Sequence, residues 1–232
     1  MLDKKIVFRH TPKCAGTYIW ACLKTIGGYM SLGSNKHYPE PCPSSIIDYF
    51  DINNTYETGV VEHNCGQTLP QVIRAHDCLN HINKNTHDDI FVLSNIRHPI
   101  TMFFSEFYHH GSENNNNKLT WTKILGDDID KYIDGDLEIA LPCGRPQNLN
   151  QWSDHYIKRL AILKEQTHLI ILQENSQTGL DRLEDYGFKF ERHPTVLNVT
   201  PVRPNKYKYR LGDIRKSLEP AINSYEQFVD NY

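Results

Sequence analysis

The sequence contains no pair of cysteines in the form C-x-x-C, although it has six cysteines among 232 residues. Such pairs are typical of zinc knuckles and of thioredoxin-like redox sites, so neither kind of site is indicated. Reduced, unpaired thiols are the simplest state for all six.

The chain also lacks an excess of positive charge, since 25 lysine and arginine residues against 28 aspartate and glutamate residues give a formal net charge of −3. General nucleic-acid binding normally shows as a basic excess, so we expect no nucleic-acid partner and only local anion binding. No apolar run approaches the length of a membrane span, and the first strand-like run begins within a few residues of Met1. We therefore expect a cytoplasmic protein without a membrane partner, unless the sequence is a trimmed domain of a membrane-anchored protein.

Strand-like runs alternate with helix-like segments along the chain, which predicts an α/β fold with a central parallel sheet flanked by helices on both faces. A chain of this length can bury one substantial core, so we expect a single domain over residues 1–232. The predicted strands are Lys5–Phe8, Gln71–Ala75, Ile90–Asn95 and His168–Gln173. The predicted helices are Thr17–Ile26, Thr101–His110, Leu149–Glu165, Gly179–Phe188 and Asp213–Tyr232. The stretch Gly27–Tyr56 is predicted to be a long irregular loop.

The first strand runs into a small-residue turn, Pro12 to Thr17, which opens a helix-compatible segment. Such a turn favours anions, because the first helical turn leaves backbone N–H groups unpaired and the helix dipole is positive there. Ala15 and Gly16 permit close approach, Thr17 offers a hydroxyl, and Lys13 adds a positive charge. No glycine precedes Lys13 at the spacing of G-x-x-x-x-G-K-[ST], which disfavours a plain nucleoside triphosphatase. An ordinary strand-turn-helix connection with a buried threonine is the alternative interpretation.

A second anion-binding candidate follows the most apolar predicted strand. Arg97 stands at the end of this strand, His98 and Pro99 end it, and Ser105 comes eight positions after Arg97 on a predicted helix. The carboxyl ends of strands in an open α/β sheet face the ligand crevice, so we expect Arg97 and the Lys13 turn to face the same crevice. An arginine there can hold a phosphate through two parallel hydrogen bonds. A structural arginine paired with a surface carboxylate is the alternative.

These two segments together resemble a known family. The string His10–Thr17 is similar to the phosphosulfate-binding loop of sulfotransferases that use 3′-phosphoadenylyl sulfate (PAPS). The string Leu93–Pro99, with Ser105 after it, resembles the family's 3′-phosphate motif. The likeness is to carbohydrate-type members, which include the heparan sulfate O-sulfotransferases and their bacterial relatives. Near the C-terminus, Leu197–Thr200 and the basic, tyrosine-rich segment Arg203–Tyr209 resemble the family's closing segment over the nucleotide.

The resemblance implies a P-loop-kinase-like sulfotransferase fold and transfer of a sulfuryl group from PAPS to a hydroxyl acceptor, here a carbohydrate. Adenosine 3′,5′-bisphosphate (PAP) would be the product, and no metal would be needed. Lys13 would stabilise the leaving phosphate, while Arg97 and Ser105 would hold the 3′-phosphate. The 5′-phosphosulfate would lie on a run of consecutive residues: Lys13, Cys14, Ala15, Gly16, Thr17 and Tyr18.

The sequence departs from the family pattern at two positions. Cys14 stands where the loop usually has threonine or another small residue, so a backbone contact would survive there but a hydroxyl contact would not. His98 replaces the usual aspartate after the arginine, and an imidazole beside the 3′-phosphate would make binding weakly pH-dependent.

The catalytic base is predicted to be a histidine, since imidazole titrates near neutral pH. His76 ends a short apolar run and resembles the family's catalytic histidine, so it is preferred over His63, with Glu62 as the carboxylate alternative. A kinase-like phosphotransferase or a non-catalytic nucleotide-binding protein is the alternative function. A phosphotransferase would need an aspartate at a strand end to hold Mg²⁺.

Overall fold

A computed structural model describes residues 4–34, 41–52, 58–65, 69–75, 79, 81–107, 125, 128–138, 141, 145–193 and 210–232. By its internal contacts the chain divides into two compact units. The first unit comprises Met1–Ile96 with Leu163–Asn198, and the second comprises Arg97–Ile162 with Val199–Tyr232. The turn that contains Lys13 therefore belongs to the first unit, and Arg97 and Ser105 belong to the second.

The first unit is built on one sheet, whose strands in the described residues are β1 (Lys5–Arg9), β2 (Tyr29–Ser34), β3 (Thr58–His63), β4 (Val72–Ala75), β5 (Ile90–Ile96) and β6 (Leu169–Leu172). Their order across the sheet is β3-β2-β4-β1-β5-β6. Neighbouring strands are parallel except β2 and β3, which pair antiparallel. The four predicted strands, β1, β4, β5 and β6, are parallel as expected, and β2 adds a fifth parallel strand. The edge strand β3 makes the sheet mixed. The carboxyl end of β1 is flanked by those of β4 and β5.

Helices cover both faces of this sheet, as the sequence predicts. Because side chains alternate along a strand, Val7 and Ile73 share one face, where they pack with Ile46 and Phe50 of helix α2 (Ser44–Phe50). Helix α1 (Gly16–Leu23) lies on the other face, where Trp20 stacks under the guanidinium of Arg74 at 4.9 Å from the ring centroid. A further helix, α6 (Ser176–Asp185), packs against β6.

The second unit is helical in its described residues. It contains α3 (Pro99–Phe107), α4 (Ile129–Asp134), most of α5 (Leu149–Gln166), α7 (Leu211–Ser217) and α8 (Glu219–Asp230). Aromatic packing joins α3 to α5, since Phe103 meets Trp152 edge-on at 5.6 Å between ring centroids. Arg210 joins α4 to α7 through ion pairs with Asp130, Asp134 and Asp213.

Two sequence predictions are wrong. The stretch Gly27–Tyr56 is not one irregular loop, because it contains β2 and α2; its glycines hide a strand in which Met30 and Leu32 alternate into the core. The predicted helix Asp213–Tyr232 is two helices separated at Leu218. Pro220 in the first turn of α8 supplies no N–H donor, so a continuous helix cannot run through it.

Candidate functional site

The connection between β1 and α1, called here the β1–α1 loop (residues 10–15), has an unusual backbone. Lys13 and Ala15 have φ angles of 66° and 58°, and of the loop residues only these two have a positive φ. A backbone whose handedness alternates in this way turns successive N–H groups toward one side and forms a concave site for an anion. Ala15 then caps α1, and its carbonyl accepts the N–H groups of Tyr18 at 3.0 Å and Ile19 at 3.2 Å. The loop therefore joins an anion-binding curve to the positive end of a helix.

This conformation is strained and needs support. The left-handed conformation costs a residue with a Cβ atom about 1–2 kcal/mol, and such strain persists only where surrounding residues hold the backbone in place. The support comes from Asn95 on β5, which is fully buried. Its Oδ1 accepts the N–H of Thr11 at 2.9 Å, and its Nδ2 donates to the carbonyls of Cys14 at 2.5 Å and Thr11 at 3.4 Å. One amide thus holds both ends of the turn from Thr11 to Cys14.

Cys14 and Gly16 face the inside of the loop structure. The thiol of Cys14 is fully buried and donates to the carbonyl of Pro12 at 3.4 Å, so this side chain belongs to the turn. A Cβ built on Gly16 would lie 1.9 Å from Cδ2 and Nε2 of His10, so a larger residue here would require the imidazole to move. The backbone N–H of His10 donates to the carbonyl of Ala75 at 2.9 Å and ties the loop to the end of β4.

The side chains of Lys13, Thr17 and Tyr18 are half-buried around this turn. The Tyr18 hydroxyl donates to Oε1 of Gln177 at 3.4 Å, which connects the start of α1 with α6. The six consecutive residues predicted to hold the phosphosulfate, from Lys13 to Tyr18, therefore span the end of the β1–α1 loop and the first turn of α1.

In the second unit, Arg97 and Ser105 belong to one short structure. Arg97 follows β5 directly, and its Nε donates to Oγ1 of Thr101 at 3.0 Å. Thr101 and Ser105 are four positions apart in α3, which puts them on the same face of the helix. Ser105 is largely buried, at 7% exposure. Thr101 thus connects the guanidinium to the face that carries Ser105.

The main chain at Arg97 is also held in place. The hydroxyl of Tyr156, on α5, donates to the Arg97 carbonyl at 2.7 Å. The ring of His98 packs edge-on against Tyr225 of α8, with 5.4 Å between ring centroids. Thr101, Tyr156 and Asn95 were not predicted from the sequence as functional residues. Thr101 carries a visible signal, because it lies four residues after Arg97 and four before Ser105.

Glu62, the carboxylate alternative for the base, is engaged in an ionic network. It accepts hydrogen bonds from Nε1 of Trp20 at 2.5 Å and Nζ of Lys24 at 3.3 Å, and it lies 3.7 Å from the guanidinium of Arg74. Burial would raise the pKa of Glu62, but these two hydrogen bonds and the charges of Lys24 and Arg74 outweigh it and hold the pKa below its usual range. Trp20 and Lys24 stand four and eight positions after Gly16, about one and two turns along α1 from the loop.

The two candidate histidines relate differently to the loop. His63 ends β3 and pairs with Met30, whose neighbour in β4 is Ile73 and, through it, Val7 of β1. His63 is therefore level with Val7, which lies two residues, or about 7 Å, before Arg9 along β1. Across the sheet, β3 is three strand spacings, about 14 Å, from β1. His76 lies outside the described residues, but Ala75, which precedes it, is paired with Arg9 at the start of the loop.

The closing segment proposed from sequence, Leu197–Thr200 and Arg203–Tyr209, also lies outside the described residues. Within the described ranges, no group of three or more histidine, cysteine, aspartate or glutamate side chains is arranged to hold a metal ion. Among the helices that the structure describes, none has the length and apolarity to cross a bilayer.

Comparison of this chain with protein-family models and with curated protein sequences gives no match. The geometry of the two units is therefore the basis for assigning a function.

Proposed function

We propose that this protein is a sulfotransferase that moves a sulfuryl group from PAPS to a hydroxyl of a carbohydrate and releases PAP. The observation that carries the proposal is the β1–α1 loop, whose alternating backbone handedness and helix N-terminus suit a terminal phosphosulfate. The P-loop-kinase-like sulfotransferase fold is part of the proposal. Its support is the parallel arrangement of β4, β1 and β5, with the loop leaving the middle strand of the three.

The proposed reaction is an in-line displacement at sulfur. The acceptor oxygen forms a bond to sulfur while the bond from sulfur to the 5′-phosphate oxygen breaks, and PAP leaves with that electron pair. Negative charge develops on the bridging oxygen, where the ammonium of Lys13 and the backbone N–H groups of residues 14–17 would stabilise it. The acceptor proton passes to a base.

Arg97 and Ser105 would bind the 3′-phosphate of the nucleotide. The support is local to the second unit, where Thr101 fixes Nε of Arg97 and lies on the helix face of Ser105. A guanidinium held in a set plane loses little freedom when it binds a phosphate, which favours bidentate recognition.

His76 is the proposed base. Its support is the position of Ala75, the residue before it in the chain, which pairs with Arg9 and accepts the His10 N–H. His63 stands on the edge strand, and Glu62 is occupied by Trp20, Lys24 and Arg74. A carboxylate that accepts two hydrogen bonds and lies beside two cations is a poor proton acceptor at neutral pH.

A transfer assay tests the proposal. The purified protein is incubated with PAPS labelled in its sulfuryl group and with a set of neutral and anionic carbohydrates, and label in the carbohydrate is counted. Lys13→Ala should lower kcat at least about 100-fold, and His76→Ala should lower it more than His63→Ala. Lys164→Ala, an exposed lysine on α5, is the matched control and should retain full activity. Phosphate transfer from ATP and Mg²⁺, with no transfer from PAPS, would replace the proposal by the kinase-like alternative.

A further inference from the structure

We infer that Asn95 is a positioning residue for the anion site, which holds the β1–α1 loop in its binding conformation through a single side-chain amide. The inference rests on the proposed function only in naming the ligand group on the loop as the 5′-phosphosulfate. The effect of Asn95 on the loop conformation does not depend on a bound ligand.

The hydrogen bonds of Asn95 span the strained part of the loop. Oδ1 accepts a hydrogen bond from the N–H of Thr11, which precedes Lys13. Nδ2 donates its shortest hydrogen bond to the carbonyl of Cys14, which stands between Lys13 and Ala15. The two residues with positive φ therefore sit next to the anchored carbonyl on either side. Fixing the carbonyl of Cys14 also fixes the peptide plane whose N–H belongs to Ala15, one of the groups expected to face the anion.

Burial makes this anchor effective. Asn95 is fully buried on β5, so water does not compete for its donor and acceptor positions. A buried amide that lost its partners would remain unsatisfied, which opposes any rearrangement of Thr11 or Cys14 away from it. The neighbouring Ser94 is equally buried, but its hydroxyl donates to the carbonyl of Arg9, which is still within β1. Ser94 therefore supports the strand, whereas Asn95 supports the loop.

Hydrogen exchange of the ligand-free protein tests the hold directly. In Asn95→Ala, the amides of Thr11, Tyr18 and Ile19, which are hydrogen-bonded to Asn95 or to the Ala15 carbonyl, should exchange at least about tenfold faster than in the wild type, with the strands of the first unit unchanged. Ser94→Ala, the matched control, should leave exchange of these three amides within about twofold. Equal exchange in Asn95→Ala and the wild type would overturn the inference.

A second variant covers the case in which Asn95→Ala fails to fold. Asn95→Leu has a side chain of similar size, but it removes both the acceptor for the Thr11 N–H and the donor to the Cys14 carbonyl. Thr11, Tyr18 and Ile19 should lose protection in this variant as well. Protection equal to that of the wild type would contradict the assigned role.

Ligand binding separates positioning from general damage to the fold. Asn95→Ala should weaken PAP binding at least about tenfold, but should change binding of adenosine 3′-monophosphate, which has no 5′-phosphate, less than about twofold. Equal losses for both ligands would identify Asn95 as structural only and overturn the inference. If the wild-type protein binds no PAP, the proposed function fails, and the exchange experiment alone decides whether Asn95 holds the loop.

Discussion

The imidazole of His10 occupies the space that a side chain on Gly16 would need. A Cβ on Gly16 would lie 1.9 Å from both Cδ2 and Nε2 of that ring. The backbone N–H of His10 in turn donates a hydrogen bond to the carbonyl of Ala75 at the end of β4. Any larger residue at the start of α1 would therefore have to displace the His10 ring.

Gly16→Ala should lower the free energy of unfolding by about 1–3 kcal/mol, because the His10 ring must move away from a fixed backbone. Gly212→Ala is the matched control at the start of α7, where an added Cβ meets no atom within 4 Å. That change should be neutral or stabilising by up to about 1 kcal/mol, since alanine favours helix. Denaturant titration measures both, and an equal effect of the two changes would contradict the packing argument.

Ala15→Gly should leave the free energy of unfolding unchanged or raise it by up to about 1 kcal/mol, because glycine adopts the φ of 58° without strain. Ala161→Gly, at an exposed position in the interior of α5, is the control and should cost about 1 kcal/mol. The same denaturant titration distinguishes them. A loss at Ala15 as large as the loss at Ala161 would mean that residue 15 is not left-handed.

Arg97→Ala should weaken binding of PAP about 10- to 100-fold and leave binding of 5′-AMP within about twofold, because only PAP carries a 3′-phosphate. Thr101→Val should have a smaller effect in the same direction, since it releases Nε of Arg97 but keeps the charge. Arg215→Ala, at an exposed position on α7, controls for the loss of a positive charge. Calorimetric titration of the three variants gives their affinities for PAP and for 5′-AMP. Similar losses for the two ligands in Arg97→Ala would count against the assignment of the 3′-phosphate to Arg97.

Glu62→Gln should destabilise the protein in a pH-dependent way. The folded-state pKa of Glu62 is lowered, so its contribution is fully present above about pH 4.3, the ordinary value for glutamate, and is lost as the pH falls through the folded-state pKa. The difference in unfolding free energy between wild type and Glu62→Gln should therefore be largest near neutral pH and shrink toward pH 3. Glu165→Gln, on the exposed surface of α5, controls for net charge. A difference that grew on acidification would refute the ionic network.

The elements that consist of an unbroken apolar run could be predicted from the sequence. Strands β1, β4, β5 and β6 lie within two residues of their predicted bounds, because each is largely buried and is mostly an apolar run. Strand β2 was missed because Gly27 and Gly28 precede it and Gly33 interrupts it. The handedness of the β1–α1 loop was not predictable, since lysine and alanine carry no preference for positive φ.

The role of Asn95 was also hidden from sequence analysis. Asn95 is one of two polar residues inside the buried run IFVLSNI, and the run gives no sign of its partners, which lie more than 80 positions away in the chain. Thr101 is different, because its helical spacing from Arg97 and Ser105 is local and could have been recognised.

Binding of the two nucleotides that distinguish the candidate functions is the most direct test. Calorimetric titration of the wild-type protein with PAP and, separately, with ATP and Mg²⁺ compares a ligand that has 3′- and 5′-phosphates with one that has a 5′-triphosphate. We predict tight binding of PAP that is lost in Lys13→Ala and in Arg97→Ala, and much weaker binding of the ATP complex. Tight binding of ATP and Mg²⁺ with no binding of PAP would contradict the proposed sulfotransferase.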